Sequence, residues 1–431
     1  PCPGFASGYG DEDEDEQMMG GDVIVVKLDG GADAKESGVL AAAEVRLDKA
    51  ENYLAYRRQM EALRRLASLE GERRYPLWDL LSVGQVGGEN VDSWAAKMRK
   101  ALDENQRVSL GEIAAEAEAE DSQAEVTVSA EVQRLKELAE EEPELSPEGR
   151  IALEQVRKVL QGEGTDLGDI QKSLGQLNES QKQAVLAALA PRLTIVQGPP
   201  GTGKTHVSAQ LLRLWAQVLG VRPLLVTSHN NVAVDNIAEN AHACGLRVVR
   251  IGRPEKINTT LAQFSLSNLA ADILKEGQFA DKSLADATFL AKQAAVKAAD
   301  VVCVTTISSA TGILKDVNFG AILMDEAAQA TELSALVPIA HCRAERLVLV
   351  GDHCQLPAST LSLEAENRGL TLSLFGRLVA QGLPPCFLDT QFRMHPAIAA
   401  HSSASFYGGR LQSGVPAEAR LPPQGFPWPN P

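Results

Sequence analysis

Residues 176–385 predict an α/β domain built on a doubly wound parallel sheet, and residues 21–175 predict a mainly α-helical, acidic region before it. After residue 176, short apolar runs alternate with amphipathic helical stretches, a pattern typical of buried parallel strands joined by helices. Before residue 176, apolar residues recur at intervals of three and four positions. That interval is the spacing of one face of a helix.

Five segments are predicted to be the strands of the sheet. Each is a four-residue run of mostly aliphatic residues followed by polar or glycine residues, and they lie at 193–196, 224–227, 301–304, 321–324 and 347–350. In doubly wound sheets, ligands bind beyond the carboxyl ends of the strands. We therefore expect the functional residues in the turns that follow these segments.

The region before the sheet divides into an acidic tail and a helical part. Residues 1–20 include six consecutive carboxylates, Asp11 to Glu16, which repel one another in water, so we expect this tail to be disordered. A short strand is predicted at 23–28, and helices are predicted over 41–69, 92–104, 129–142 and 147–160. Because the chain begins with proline, we expect it to start inside a longer reading frame.

A basic cluster lies on the predicted helix 41–69 and comprises Arg57, Arg58, Arg64 and Arg65. Pairing with Glu61 and Glu70 on a solvated helix face is the favoured interpretation. Contact with nucleic-acid phosphate is the alternative.

The distribution of charge is more informative than the net charge of −16. Residues 1–170 contain 38 acidic and 19 basic side chains, a net charge of −19, and residues 171–431 contain 19 acidic and 22 basic side chains, a net charge of +3. The second half of the chain therefore permits a polyanionic ligand. The acidic helical half would suit a protein partner.

Composition also indicates the cellular setting. The six cysteines form no C-x-x-C pair, which favours a reducing compartment over a disulfide framework or a zinc cluster. No apolar run approaches the ~18 residues that span a bilayer, and no basic region precedes an apolar core at the N-terminus. We expect an intracellular protein, cytoplasmic or nuclear, that is monomeric and makes no membrane contact.

The strongest chemical motif follows the first predicted strand. Residues 198–205 have the sequence GPPGTGKT, which fits the pattern G-x-x-x-x-G-K-[ST]. Lys204 would contact the β and γ oxygens of a triphosphate, and the Thr205 hydroxyl would ligate Mg²⁺. The segment predicts a site for ATP and Mg²⁺, in which backbone groups cradle the phosphates at Gly198, Pro199, Pro200, Gly201, Thr202 and Gly203.

Two carboxylates follow the predicted strand 321–324 at the same edge of the sheet. Asp325 is predicted to be a magnesium ligand, and Glu326 is predicted to be the base that activates the attacking water. Such a pair alone is also a common charge pair at a helix start. The assignment therefore depends on the phosphate loop upstream.

Seven motifs in order show a family resemblance. They are LNESQKQAV at 177, GPPGTGKT at 198, HNNVAVDN at 229, DEAAQA at 325, GDHCQLPA at 351, SLFGRL at 373 and QFRMHP at 391. Residues 176 to about 416 resemble superfamily 1 helicases of the nonsense-mediated-decay RNA helicase type, akin to senataxin and the immunoglobulin-mu-binding helicase. The resemblance implies a P-loop, RecA-like ATP-binding domain over 176–385, with 386–431 as the incomplete start of a second RecA-like lobe.

The same resemblance implies roles for residues around the nucleotide. Gln181 would read the adenine edge, although a capping box with Asn178 is an equally supported interpretation of the local sequence. Phe392 stands where the family usually has a tyrosine stacked on adenine, and it retains the aromatic face. Residues that sense or reach the γ-phosphate would be Gln329, Gln355 and Arg393, with Asp352 in the coupling loop.

The resemblance further implies an ATP-dependent helicase that translocates 5′ to 3′ along single-stranded RNA or DNA. Asn230, Asn231, Val232 and Thr305 would contact the strand without sequence preference. A non-catalytic scaffold that binds nucleotide or nucleic acid is the competing hypothesis. A GTP switch is less favoured, because no N-K-x-D sequence follows the phosphate loop.

Overall fold

The computed structural model describes residues 53–67, 77, 132–163, 168–315 and 317–421. The acidic tail 1–20 and the elements predicted at 23–28 and 92–104 lie outside the described residues. Within them, the helix predicted over 41–69 is present as Tyr53–Ala67. The helix predicted over 147–160 is confirmed at both ends as Pro147–Leu160, and residues 132–140 are also helical.

Seven parallel strands form the central sheet, in the order β3-β4-β2-β5-β6-β1-β7. The strands are β1 Leu193–Gln197, β2 Leu224–Ser228, β3 Val248–Arg250, β4 Val301–Thr305, β5 Ala321–Asp325, β6 Leu347–Gly351 and β7 Cys386–Phe387. All five predicted strands are present, and each extends one residue further at its carboxyl end. The predicted α/β fold is confirmed.

Alternate residues of each strand enter cores on opposite faces of the sheet, because side chains along a strand alternate in direction. On β2, Leu225 belongs to one core and Leu224 belongs to the other. The first core packs against helices 53–67, 132–140, 266–275, 284–298, 332–341 and 374–380. The second packs against helices 147–160, 179–188, 204–213 and 231–243.

The chain beyond residue 385 continues from the central sheet into a small second sheet. β7 pairs with the end of β1, and then β8 Thr390–Gln391 pairs with β9 Gln412–Ser413. Helix Pro396–Phe406 lies between these two strands in sequence. The domain boundary at 385/386 stays a prediction.

Helix Tyr53–Ala67 is attached to the first core through polar contacts as well as apolar ones. Arg58 Nη1 donates to the Ile307 carbonyl at 3.2 Å, and Gln59 Nε2 donates to Ser334 Oγ at 2.9 Å. Arg65 pairs with Glu61, as the helix-face interpretation expects. Among the described residues, no helix is both long and apolar enough to cross a membrane.

Candidate nucleotide site

The phosphate loop connects β1 to helix Lys204–Arg213 and closes around the lysine. Lys204 Nζ donates to the Gly198 carbonyl at 2.9 Å, and a Cβ atom on Gly198 would lie 2.3 Å from Lys204 Cγ. Gly201 and Gly203 have φ values of +79° and +84°, which residues with a side chain adopt only with strain. The glycines are therefore required by the shape of the loop.

Glu326 lies beside the ammonium group of Lys204. The distance from Lys204 Nζ to Glu326 Oε1 is 3.7 Å, and Gln329 Nε2 donates to Glu326 Oε2 at 3.1 Å. Glu326 has a φ of +51°, a left-handed conformation that costs a non-glycine residue about 1–3 kcal/mol. The structure thus brings the predicted base and the predicted phosphate-binding lysine together, and it holds the base in a strained turn.

Asp325 ends β5 with its side chain 4% exposed. Burial, and then the neighbouring charge of Glu326, raise the pKa of Asp325 to about 7. Its Oδ1 atom has no hydrogen-bond partner among the described residues. A buried carboxylate oxygen without a donor is costly and is suited to a hard cation, so Asp325 and the hydroxyl of Thr205 fit the predicted magnesium site.

The QFRMHP segment lies directly against the phosphate loop. The Phe392 amide donates to the Gly201 carbonyl at 2.9 Å, and a Cβ atom on Gly201 would lie 2.5 Å from Arg393 Cβ. Gln391 shapes this turn, because its Oε1 accepts from the amides of Arg393 at 2.8 Å and of Met394 at 2.6 Å. The predicted γ-phosphate arginine is therefore adjacent to the loop.

Two polar residues hold the QFRMHP segment in place, and the sequence does not predict this role for either of them. Gln391 is fully buried, and Arg420 donates to the carbonyls of Arg393 at 2.8 Å and Phe392 at 2.9 Å. QFRMHP was recognised as a motif, but no local signal marks its first residue as the one that holds the turn. Arg420 lies outside every recognised motif.

Gln181 forms the capping box with Asn178. The Gln181 amide donates to Asn178 Oδ1 at 2.8 Å, and the Asn178 amide donates to Gln181 Oε1 at 3.1 Å. Gln181 Nε2 also donates to the Thr202 carbonyl at 2.9 Å, so the side chain supports the phosphate loop. Its contact with adenine stays a prediction, as does stacking by the Phe392 ring, which is 43% exposed.

Asp352 collects hydrogen bonds from three parts of the fold. Its carboxylate accepts from Gln197 Nε2 at 3.1 Å, Gln355 Nε2 at 2.7 Å and the Tyr407 hydroxyl at 2.7 Å. Ligand atoms of Asp352, His353 and Cys354 lie within 4.8 Å of one another. Burial raises the pKa of the Cys354 thiol to about 12, and the Asp352 oxygens already have donors, so this trio does not favour a metal.

The predicted strand-binding residues lie at the same carboxyl edge of the sheet, since Ser228 pairs in register with Thr305 and Asp325. The two asparagine side chains have structural partners: Asn230 Oδ1 caps the helix by accepting from the Ala233 amide at 2.7 Å, and Asn231 Oδ1 accepts from Arg250 Nη2 at 2.9 Å. Thr305 Oγ1 donates to Ser308 Oγ at 3.0 Å. Val232 is 70% exposed and points to solvent.

A glycine-rich loop surrounds a lysine between a strand and a helix, and an Asp-Glu pair lies two strands away in the sheet. These features define a P-loop nucleotide-binding domain. Residues 176–293 and 272–363 match one AAA domain family, and residues 370–431 match a second AAA domain family. Both matches fall on the part of the chain that carries the motifs.

Two curated relatives and one solved structure illustrate the likeness. The regulator of nonsense transcripts 1 homolog of Drosophila melanogaster is 38% identical over 276 residues, which cover 60% of this chain and 23% of that protein. The ATP-dependent helicase NAM7 of Saccharomyces cerevisiae is 36% identical over 275 residues, with 60% and 28% covered. An arterivirus nonstructural protein 10 helicase in complex with DNA has 12% identity and a TM-score of 0.33, with 55% and 43% covered.

Residues 176–431 therefore carry a helicase core of the superfamily 1, nonsense-mediated-decay type, as their motifs predicted. The chain spans about a quarter of the length of the curated relatives it matches.

Proposed function

We propose that residues 176–421 bind ATP with Mg²⁺ and hydrolyse it to drive movement along single-stranded RNA or DNA. The observation that carries this proposal is the meeting of three groups at the phosphate loop. Lys204 lies inside the loop, Glu326 lies 3.7 Å from its ammonium, and Arg393 packs on Gly201. Together they supply a cation that contacts the phosphates, a base for the attacking water and a second cation. These are the groups that phosphoryl transfer to water requires.

The site residues would exchange partners when nucleotide binds. Lys204 would leave the Gly198 carbonyl and Glu326 for phosphate oxygens, which frees Glu326 to accept a proton from the attacking water. Thr205 and Asp325 would hold Mg²⁺, which when bound neutralises charge on the β- and γ-phosphates. Arg393 would stabilise charge on the transferred group, an effect that reaches ~10³ to 10⁵ in rate for comparable arginines.

Recognition of the base and of the strand completes the proposal. Phe392 would stack on adenine, and Gln181 would contact its polar edge. Gln329 and Gln355 would sense the γ-phosphate through their hydrogen bonds to Glu326 and Asp352. The nucleic-acid strand would run along the carboxyl edge of the sheet at Val232 and Thr305. Contacts there to its phosphates and sugars would give binding without sequence preference.

Steady-state ATP hydrolysis, measured with and without single-stranded RNA or DNA, tests the proposal. Lys204→Ala should reduce hydrolysis below detection, because it removes the main cation for the β- and γ-phosphates. It should leave the melting temperature nearly unchanged, since Lys204 starts a helix and lies outside both cores. Lys275→Ala is the matched control, because Lys275 is 76% exposed and pairs with Asp272.

Unchanged turnover in Lys204→Ala would show that the site is assigned wrongly. Nucleotide binding without hydrolysis, whether or not a strand is present, would support the scaffold hypothesis instead.

A further inference from the structure

The Tyr407 hydroxyl donates to the buried carboxylate of Asp352, which also binds the predicted γ-phosphate sensor Gln355. We infer that Tyr407 is a positioning residue for ATP hydrolysis. Its hydrogen bond fixes the loop after β6, which carries Gln355, and links this loop to the segment 386–413. This inference rests on the proposed function. Tyr407 lies outside the seven motifs of the sequence, and the composition of the chain predicts no role for this residue.

Each oxygen of Asp352 has two donors. Oδ2 accepts from the Tyr407 hydroxyl and from Gln355 Nε2, both at 2.7 Å. Oδ1 accepts from Gln197 Nε2 at 3.1 Å and from the Cys354 amide at 3.2 Å. A carboxylate this buried, 2% exposed, depends on such donors, and bonds to a charged acceptor are the stronger kind.

The four donors come from parts of the chain that the proposed reaction must coordinate. Gln197 is the last residue of β1 and precedes the phosphate loop. Gln355 and Cys354 belong to the loop after β6. Tyr407 follows helix Pro396–Phe406 in the segment that also carries Phe392 and Arg393. Asp352 is therefore the hydrogen-bond acceptor that these parts of the chain share. Tyr407 is the donor that connects the segment 386–413 to it.

The chemistry of Tyr407 suits a permanent donor. Burial and the neighbouring Asp352 carboxylate raise the pKa of the phenol above its usual value, so the hydroxyl keeps its proton at neutral pH. Its ring is held separately: the Phe387 ring centroid lies 6.0 Å away, and the Tyr407 amide donates to the Ser403 carbonyl at 3.1 Å. Tyr407→Phe should therefore retain the packing and remove only the hydrogen bond.

The test compares Tyr407→Phe with the unmodified 431-residue chain. Because Gln355 shares its acceptor oxygen with the phenol, kcat for ATP should fall about tenfold, the rate equivalent of one charge-assisted hydrogen bond. KM and the affinity for a non-hydrolysable ATP analogue should stay within about twofold, since Lys204 and its loop are unchanged. Amide hydrogen exchange should become severalfold faster at 352–356 and stay unchanged at 204–213.

Tyr56→Phe is the matched control, because Tyr56 is exposed on helix Tyr53–Ala67, and it should behave like the unmodified chain. An unchanged kcat in Tyr407→Phe, with or without a lower melting temperature, would overturn the inference and leave Tyr407 a packing residue. If the unmodified chain does not hydrolyse ATP, the proposed function fails instead. The exchange data then decide the link to Asp352: faster exchange at 352–356 upholds it, and equal exchange overturns it.

Discussion

At pH 8, replacing Asp325 with asparagine should stabilise the metal-free fold while it abolishes ATP hydrolysis. Burial, and next the charge of Glu326, raise the pKa of Asp325 from its usual 3.8 to about 7. Above pH 7 the folded chain must hold an ionised carboxylate whose Oδ1 has no described partner. Asparagine keeps the shape of the side chain and removes that charge, but it cannot serve Mg²⁺ as a carboxylate does.

The magnitude follows from the pKa shift. Between pH 3.8 and 7 the folded state keeps a proton that the unfolded chain has released, so stability falls as pH rises through this window and stays low above it. A shift of this size corresponds to about 4 kcal/mol. In the asparagine variant, an Nδ2 group at the position of Oδ1 would have no hydrogen-bond acceptor among the described residues. That unsatisfied donor costs about 2 kcal/mol. The variant should therefore be about 2 kcal/mol more stable than the unmodified chain at pH 8, and about 1 kcal/mol less stable at pH 4.5, where only about 1 kcal/mol of the ionisation penalty remains.

Denaturant and thermal unfolding with a chelator present, from pH 4.5 to 8, measure this difference. At about 2–4 °C per kcal/mol for a domain of this size, the variant should melt roughly 4–8 °C higher at pH 8. Adding Mg²⁺ and an ATP analogue should stabilise the unmodified chain more than the variant. Asp272→Asn is the control, since Asp272 is well exposed. A variant that is less stable at pH 8, or a difference that does not vary with pH, would refute the reasoning.

Two further substitutions test the base and the loop. Glu326→Gln should retain nucleotide binding and reduce single-turnover hydrolysis at least 10²-fold, because the amide cannot accept the proton of water; hydrolysis at the normal rate would make Glu326 a structural acid only. Gly201→Ala should destabilise the chain by about 1–2 kcal/mol from its positive φ and also weaken nucleotide binding, because the new Cβ meets Arg393. Gly162→Ala is the matched control, because Gly162 also has a positive φ and no atom of the described residues lies within 4 Å of the added Cβ. Equal nucleotide binding in both variants would contradict the contact with Arg393.

The strands could be predicted from the sequence because each is an apolar run that the sheet buries. Every predicted strand ended one residue early, since the last residue of each is polar or glycine, as at Gln197, Ser228 and Gly351. Parallel pairing extends the strand through these residues irrespective of their polarity. β3 and β7 were not predicted, because segments of three and two residues carry too little periodicity to be distinguished from loops.

The phosphate loop and the Asp325-Glu326 pair were recognisable because their chemistry is local in sequence. The packing of Arg393 on Gly201 and the bond from Tyr407 to Asp352 join positions separated by 192 and 55 residues. Such contacts depend on how the segment after β7 folds back on the sheet, which no local pattern specifies. The asparagines predicted to bind the strand show the opposite limit. Their motif is visible in the sequence, but the helix cap made by Asn230 and the hydrogen bond from Arg250 to Asn231 become apparent only from the fold.

Gln181 shows how two interpretations that compete in the sequence can be compatible in the fold. The capping box uses one lone pair of Oε1, and the Thr202 carbonyl takes one hydrogen of Nε2. Each atom keeps one further hydrogen-bonding position, and a glutamine that accepts from N6 and donates to N7 of adenine needs one of each. Asn178 and Thr202 also fix which end of the amide is oxygen. A guanine would set its O6 acceptor against Oε1, so the residues that hold the cap would also favour adenine.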